Sequence, residues 1–108
     1  MGVLSLPITS KLDARERVAE VAAQATGLVF FSEHCEMRMI QRSITRRQVM
    51  QVLRHGDVVG SVEWDTKKER GWKMKLQRIS AGAELAVVAK LVERDDECVV
   101  ALTAFEIV

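Results

Sequence analysis

The sequence predicts an α+β domain in which N-terminal helices pack on one face of a four-stranded antiparallel sheet. Three observations carry this. The apolar period is near 3.6 residues up to Gly56 and changes to 2 from Asp57 on. Helix-start residues stand at Ser10, Ser32 and Thr45. The apolar segments after Asp57 are joined by short polar turns, which suits antiparallel neighbours. The chain of 108 residues fits one domain spanning 1–108 and can bury a core without staples.

The first helix is expected over 10–26. Ser10 is its N-cap, with Asp13 three residues on. Leu12, Val18, Val21, Ala22 and Ala25 form its apolar stripe, and Gly27 is placed to end it. "LVFF", residues 28–31, is a short extended linker or strand. Ser32 caps a second helix reaching about Arg42, on which Met37, Ile40 and Ile44 can pack inward beside Cys35 and Met39. Thr45 opens a third helix at 46–55. "TRRQ" is a capping box there, Val49, Val52 and Leu53 are the apolar face, and Gly56 closes it.

The strands follow. "DVVGSVEW" is the first. "WKMKLQ" alternates Trp72, Met74 and Leu76 with Lys73, Lys75 and Gln77, as a half-buried strand does. "ELAVVAKLV" is nearly all apolar and reads as a central strand. "SAGA" and "ERDDE" are turns, and "CVVALTAFEIV" is the last strand.

Composition excludes several classes. Hydrophobic residues make up 48% and charged residues 29%, with one proline, so the chain is globular and not a linker. No run reaches the roughly 18 apolar residues of a membrane span. "MGVLSLPITS" lacks the pattern of a secretory leader, and a cytoplasmic location is expected. Cys35 and Cys98 are expected as reduced, buried thiols. A metal would need His34, Cys35, His55 and Cys98 to converge, and His34 and Cys35 point about 100° apart on a helix.

The charge pattern is informative. The net charge is +1, yet Arg38–Arg54 holds five arginines and no Asp or Glu, flanked by His34 and His55. Residues 67–78 add Lys67, Lys68, Arg70, Lys73, Lys75 and Arg78 against Glu69. Segregated basic surface is what a nucleic-acid binder needs. His34, Arg38 and Arg42 are spaced i, i+4, i+8 and span an arc of about 80° on a helix. That row suits phosphate: Arg offers planar, permanently charged donors, and an imidazole can transfer a proton. A solvated face with a capping histidine is the plain alternative. Trp72 is in phase with the core residues of its strand, and Trp64 could stack on a base.

The stretch "FSEHCEMRMIQRSITRRQVMQVLRHG" resembles domain-of-unknown-function family 4258. The family pattern is His-x3-Arg-Met-x2-Arg-x-Ile followed by a short helix and Gly, here His34, Arg38, Met39, Arg42, Ile44 and Gly56. It continues into a sheet with a Thr near its end, here Thr103 in "VVALTAF". The resemblance covers about 29–107 and leaves the helix at 10–26 outside as an extra element. It departs at Ile40, where a polar residue is usual, and at Phe105, where Tyr is frequent. The chain has no tyrosine.

The family is similar to the barnase, EndoU, colicin and RelE-like fold group. The resemblance implies a toxin-like, metal-independent endoribonuclease without a cofactor. His34 would transfer protons, Arg38 and Arg42 would stabilise phosphate charge, and Thr103 would hold a phosphate oxygen. Arg46, Arg47, Lys73 and Lys75 would follow the RNA backbone. The second acid–base group stays open among Glu63, Glu84 and His55. RNA is the expected partner, with an acidic, antitoxin-like inhibitor or a homodimer as further possibilities. The competing reading is a non-enzymatic RNA- or protein-binding module of the same fold.

Overall fold

The computed structural model describes residues 10–80 and 82–107. The expectations for residues 1–9, for Ala81 of the "SAGA" turn and for Val108 at the end of the last strand lie outside the described residues. The element order is α1 (Lys11–Gln24), a short 3-10 turn (Thr26–Leu28), β1 (Val29–Phe31), α2 (Glu33–Arg42), α3 (Arg46–His55), β2 (Asp57–Asp65), β3 (Gly71–Ser80), β4 (Ala83–Glu93) and β5 (Glu97–Ile107).

The helices start where their caps require. Ser10 accepts from the Asp13 N–H, and Ser32 from the Cys35 N–H, each at 3.0 Å. Thr45 and Gln48 form the reciprocal capping box. α1 stops at Gln24, before Gly27, with Ala25 as C-cap. Its buried stripe is Ala14, Val18, Val21 and Ala22, while Leu12 is exposed. The alanines bring the helix close to its neighbours. α2 buries Cys35 and Met39, and Ile44 joins the core just beyond it. Met37 and Ile40, expected to pack inward, face out at 52% and 81% exposure. At 100° per residue they lie on the flank away from Cys35–Met39.

The sheet has five strands in the order β1-β5-β4-β3-β2, and it is not wholly antiparallel. This corrects the four-stranded expectation. β1 pairs in parallel with β5, Val29 to Val99 and Phe31 to Ala101. Three apolar residues are too few to show an alternation, and their partner lies about 70 positions away. β2 through β5 form the antiparallel meander.

All three helices cover one face of the sheet. Met74, Leu76, Leu85, Val87, Ala89, Leu91, Val99 and Ala101 meet Val18, Val49, Val52 and Leu53 in one buried cluster. Trp72 is half-buried against that cluster, and the exposed Trp64 meets it edge-on at 5.1 Å. The opposite face carries Lys73, Lys75 and Lys90 in the alternate positions. A smaller apolar cluster of Val92, Cys98 and Val100 lies there too.

A bulge in β5 resets this alternation. Val88 pairs with Thr103 but Ala89 pairs with Ala101, so Leu102 is the extra residue. Ala101 and Ala104 therefore face the helices, and Thr103 is turned to the open face. Without the bulge Thr103 would share the face of Ala101 and sit under α2.

Ser32 joins β1, α2 and β5. Its N–H donates to Ala101 O at 3.0 Å, and its hydroxyl donates to Leu102 O at 3.1 Å. The same oxygen caps α2. Ser32→Ala removes both side-chain bonds and is expected to cost about 1–2 kcal/mol. Urea melts of wild type and variant measure this, and an unchanged midpoint would refute the role given to Ser32.

Candidate functional site

The Ser32 cap sets the phase of α2, and that phase decides what each side chain meets. Cys35 and Met39 point into the core, with Cys35 Sγ 3.8 Å from Met39 Sδ. His34, Arg38 and Arg42 follow one another on the flank facing the open side of β5. Together with Thr103, Phe105 and Glu106 they line one groove of about 650 Å³. Arg42 donates to Ala104 O at 2.9 Å, which anchors its guanidinium on β5. Arg38 donates to Gln41 Oε1 at 3.0 Å. A groove with an imidazole and two guanidiniums on one wall and a hydroxyl on the other suits a phosphodiester.

The other expected phosphate contacts divide into two sets. Lys73 and Lys75 are on the open face of the sheet, the side of the groove. Arg46 is not: it pairs with Glu36 at 3.1 Å and lies 4.3 Å over the Phe31 ring. Glu36 is about 160° from Arg38 around α2. The helix thus separates Arg46 from the His34 row. Arg47 is exposed at the start of α3. Arg54 donates to Ala22 O at 3.1 Å and ties α3 to α1.

The open candidates for a second proton-transfer group also separate. His55 and Glu84 line another cavity, with Asp57 and Gln77. Glu63 is opposite Lys73 on β2. Glu106 is the carboxylate that lines the groove with His34. The sequence reading missed it because β5 alternation predicts a face and not a neighbour on another element. The four residues weighed for a metal do not meet. Among the described residues no three His, Cys, Asp or Glu side chains form a metal-binding group. Cys35 and Cys98 are both buried and free. Burial, with Glu36 close by, pushes the Cys35 thiol up to about 11 against the opposing pull of Arg46. Burial also raises Cys98.

A second cavity of about 870 Å³ adjoins the groove and shares His34 with it. Its outer wall is the β2–β3 hairpin, held by Lys90. That lysine is 4% exposed, and its ammonium donates to Lys67 O at 3.0 Å and Glu69 O at 2.8 Å. It also pairs with Asp65 at 3.2 Å. Three donors thus meet three acceptors, which offsets the cost of burying the charge. Arg94 closes the hairpin with two 2.7 Å bonds to Glu69 and lies 4.7 Å over Phe30. A lone lysine inside an otherwise apolar strand was the available signal for this clamp.

The fold is thus an α+β domain with a basic groove between one helix and the outer end of a sheet strand. Residues 31–106 match the family model described as Domain of unknown function (DUF4258), and the chain belongs to that family. No curated protein and no solved structure matches the chain. Among the described residues, no helix is long and apolar enough to cross a membrane.

The hairpin clamp carries a pH dependence. The Lys67 N–H and the Lys90 ammonium hold Asp65 below the usual carboxylate range, and Arg94 does the same for Glu69. Depressed folded values mean that the stabilisation is present above about pH 4, the unfolded range. It is lost as pH falls through the folded values. Lys90→Met is expected to lose roughly 2–3 kcal/mol at neutral pH, through the stranded Lys67 and Glu69 carbonyls. It should also flatten the acid limb of the stability curve. Thermal melts from pH 3 to 7 read both effects, and a variant matching wild type throughout would exclude the clamp.

Proposed function

We propose that the domain is a small metal-independent endoribonuclease with a toxin-like, RelE/barnase-type arrangement. The observation that carries this reading is the groove in which His34, Arg38 and Arg42 of α2 face Thr103 of β5. The reaction is attack by a ribose 2′-hydroxyl on the adjacent phosphorus. The O2′–P bond forms and the P–O5′ bond breaks. Glu106 is the groove carboxylate available to take the 2′-hydroxyl proton, and His34 gives a proton to the leaving 5′-oxygen. The products are a 2′,3′-cyclic phosphate and a 5′-hydroxyl.

Arg38 and Arg42 stabilise the charge that grows on the non-bridging oxygens. Thr103 donates to one of them. Lys73 and Lys75 guide the strand over the open sheet face, and Arg47 extends the contact around the start of α3. Arg46 contributes less, because Glu36 and Phe31 already engage it. An acidic inhibitor protein would meet the same cations. A binding-only role draws support from one observation, the exposure of Ile40 and Met37 on α2.

Purified protein with chelator present is expected to cut single-stranded RNA and leave a cyclic phosphate. His34→Ala should lose about 10²–10⁴-fold in rate, the usual contribution of acid–base catalysis, and keep its melt because His34 is exposed. Intact RNA after incubation with wild type, or a variant that cuts as fast, removes the catalytic assignment.

The logarithm of RNA affinity should fall linearly with the logarithm of salt concentration. Lys73→Ala with Lys75→Ala should lower the slope by about 0.7 per contact removed. Fluorescence anisotropy at several salt concentrations measures this, and a salt-independent affinity would contradict the backbone contacts.

A further inference from the structure

The cavity behind His34 is larger than the phosphate groove and different in character. Its floor is apolar, with Val100 and Leu102 of β5. Phe30 at 38% exposure and Met37 at 52% stand at its rim. These are large apolar groups that the core leaves exposed. Arg94 covers Phe30 and fixes that ring in place.

The charge accounting is asymmetric. Of the acids in the cavity, Asp65 is neutralised by Lys90 and Glu69 by Arg94. What remains is Lys67, Lys68 and Lys73 against the carboxylate of Glu33. Among the described residues these three lysines form no ion pair. The wall is preformed, since Lys90 ties the hairpin backbone down with two carbonyl bonds. A rigid apolar slot with a cationic rim, opening on a phosphate groove, fits a flat heterocycle attached to phosphates.

We propose that this cavity is a nucleobase subsite. It takes the base on one side of the phosphate held by His34, Arg38 and Arg42. The base packs on Phe30 and Met37, and the next phosphate along the strand meets Lys73 and Lys67. The subsite deepens the nuclease reading and rests on it for the position of the phosphate. It makes the ligand a single strand with an unstacked base, because a paired base cannot enter a slot beside the sheet. Purines should be preferred, since they offer more stacking surface.

The test uses a labelled 2′-O-methyl RNA hexamer, which has no free 2′-hydroxyl and stays uncut. A second hexamer carries abasic sites throughout. Wild type is expected to bind the first at least about tenfold more tightly, the usual order of one stacked base. Met37→Ala, at an exposed helix position, and Phe30→Ala should each bring the base-containing hexamer towards the abasic affinity. Neither should change abasic binding. Equal binding of the two hexamers by wild type overturns the subsite. So does unaltered binding by Met37→Ala and Phe30→Ala, and so does no binding of either hexamer at low salt, as a purely protein-binding surface would give. Because the hexamer is uncleavable, failure of the nuclease reading shows elsewhere, as base-dependent binding of ordinary RNA that is left intact.

Discussion

The arrangement depends on the junction at Ser32. Its backbone N–H makes the bond to Ala101 that ends the parallel pairing of β1 with β5. Its hydroxyl bonds the next β5 carbonyl, Leu102, and accepts from Cys35 to begin α2. One residue thereby converts a strand into a helix without leaving the edge of β5. α2 then runs beside that edge, and Arg42 takes up the carbonyl of Ala104 at its far end. The edge is covered by a helix, which is one of the ways a sheet avoids pairing with another chain. The same placement puts the flank of His34, Arg38 and Arg42 over the open side of β5. Site and edge protection are consequences of one junction.

The five arginines of the 38–54 segment, which look alike in sequence, have different surroundings. Arg38 and Arg42 line the groove, Arg46 joins α2 to α3 through Glu36, Arg54 joins α3 to α1, and Arg47 is exposed. Local charge density therefore overstated the continuity of the basic surface. What makes the open face positive is subtler. Two of the acids near it, Asp65 and Glu69, are paired with Lys90 and Arg94, so Lys67, Lys68 and Lys73 outnumber the remaining cavity acid, Glu33. A chain of nearly zero net charge can present a cationic face in this way.

Features written locally were legible in the sequence. The caps at Ser10, Ser32 and Thr45 placed the helix starts, and the alternation at Trp72, Met74 and Leu76 placed β3 and its buried face. The row of His34, Arg38 and Arg42 followed from helix geometry alone. Long-range features were not legible. β1 is three residues long and has a partner chosen by topology. The Leu102 bulge, which turns Thr103 to the open face, leaves no mark in an all-apolar strand. The outward orientation of Met37 and Ile40 depends on which flank of α2 meets β5, and their residue types suggest the opposite. Glu106 became visible only when β5 and α2 were brought together.

The groove draws its two walls from segments far apart in the chain. The bonds that join them, Ser32 to Leu102 and Arg42 to Ala104, span 70 and 62 residues. During synthesis, at about 5–20 residues per second, roughly 3–14 s separate the emergence of the α2 wall from that of the β5 wall. Throughout that interval the ribosome carries the arginine row without its opposing hydroxyl, carboxylate and ring. The groove therefore exists only once the strand through Glu106 has docked on α2, and a polypeptide broken off inside the sheet never acquires it at all.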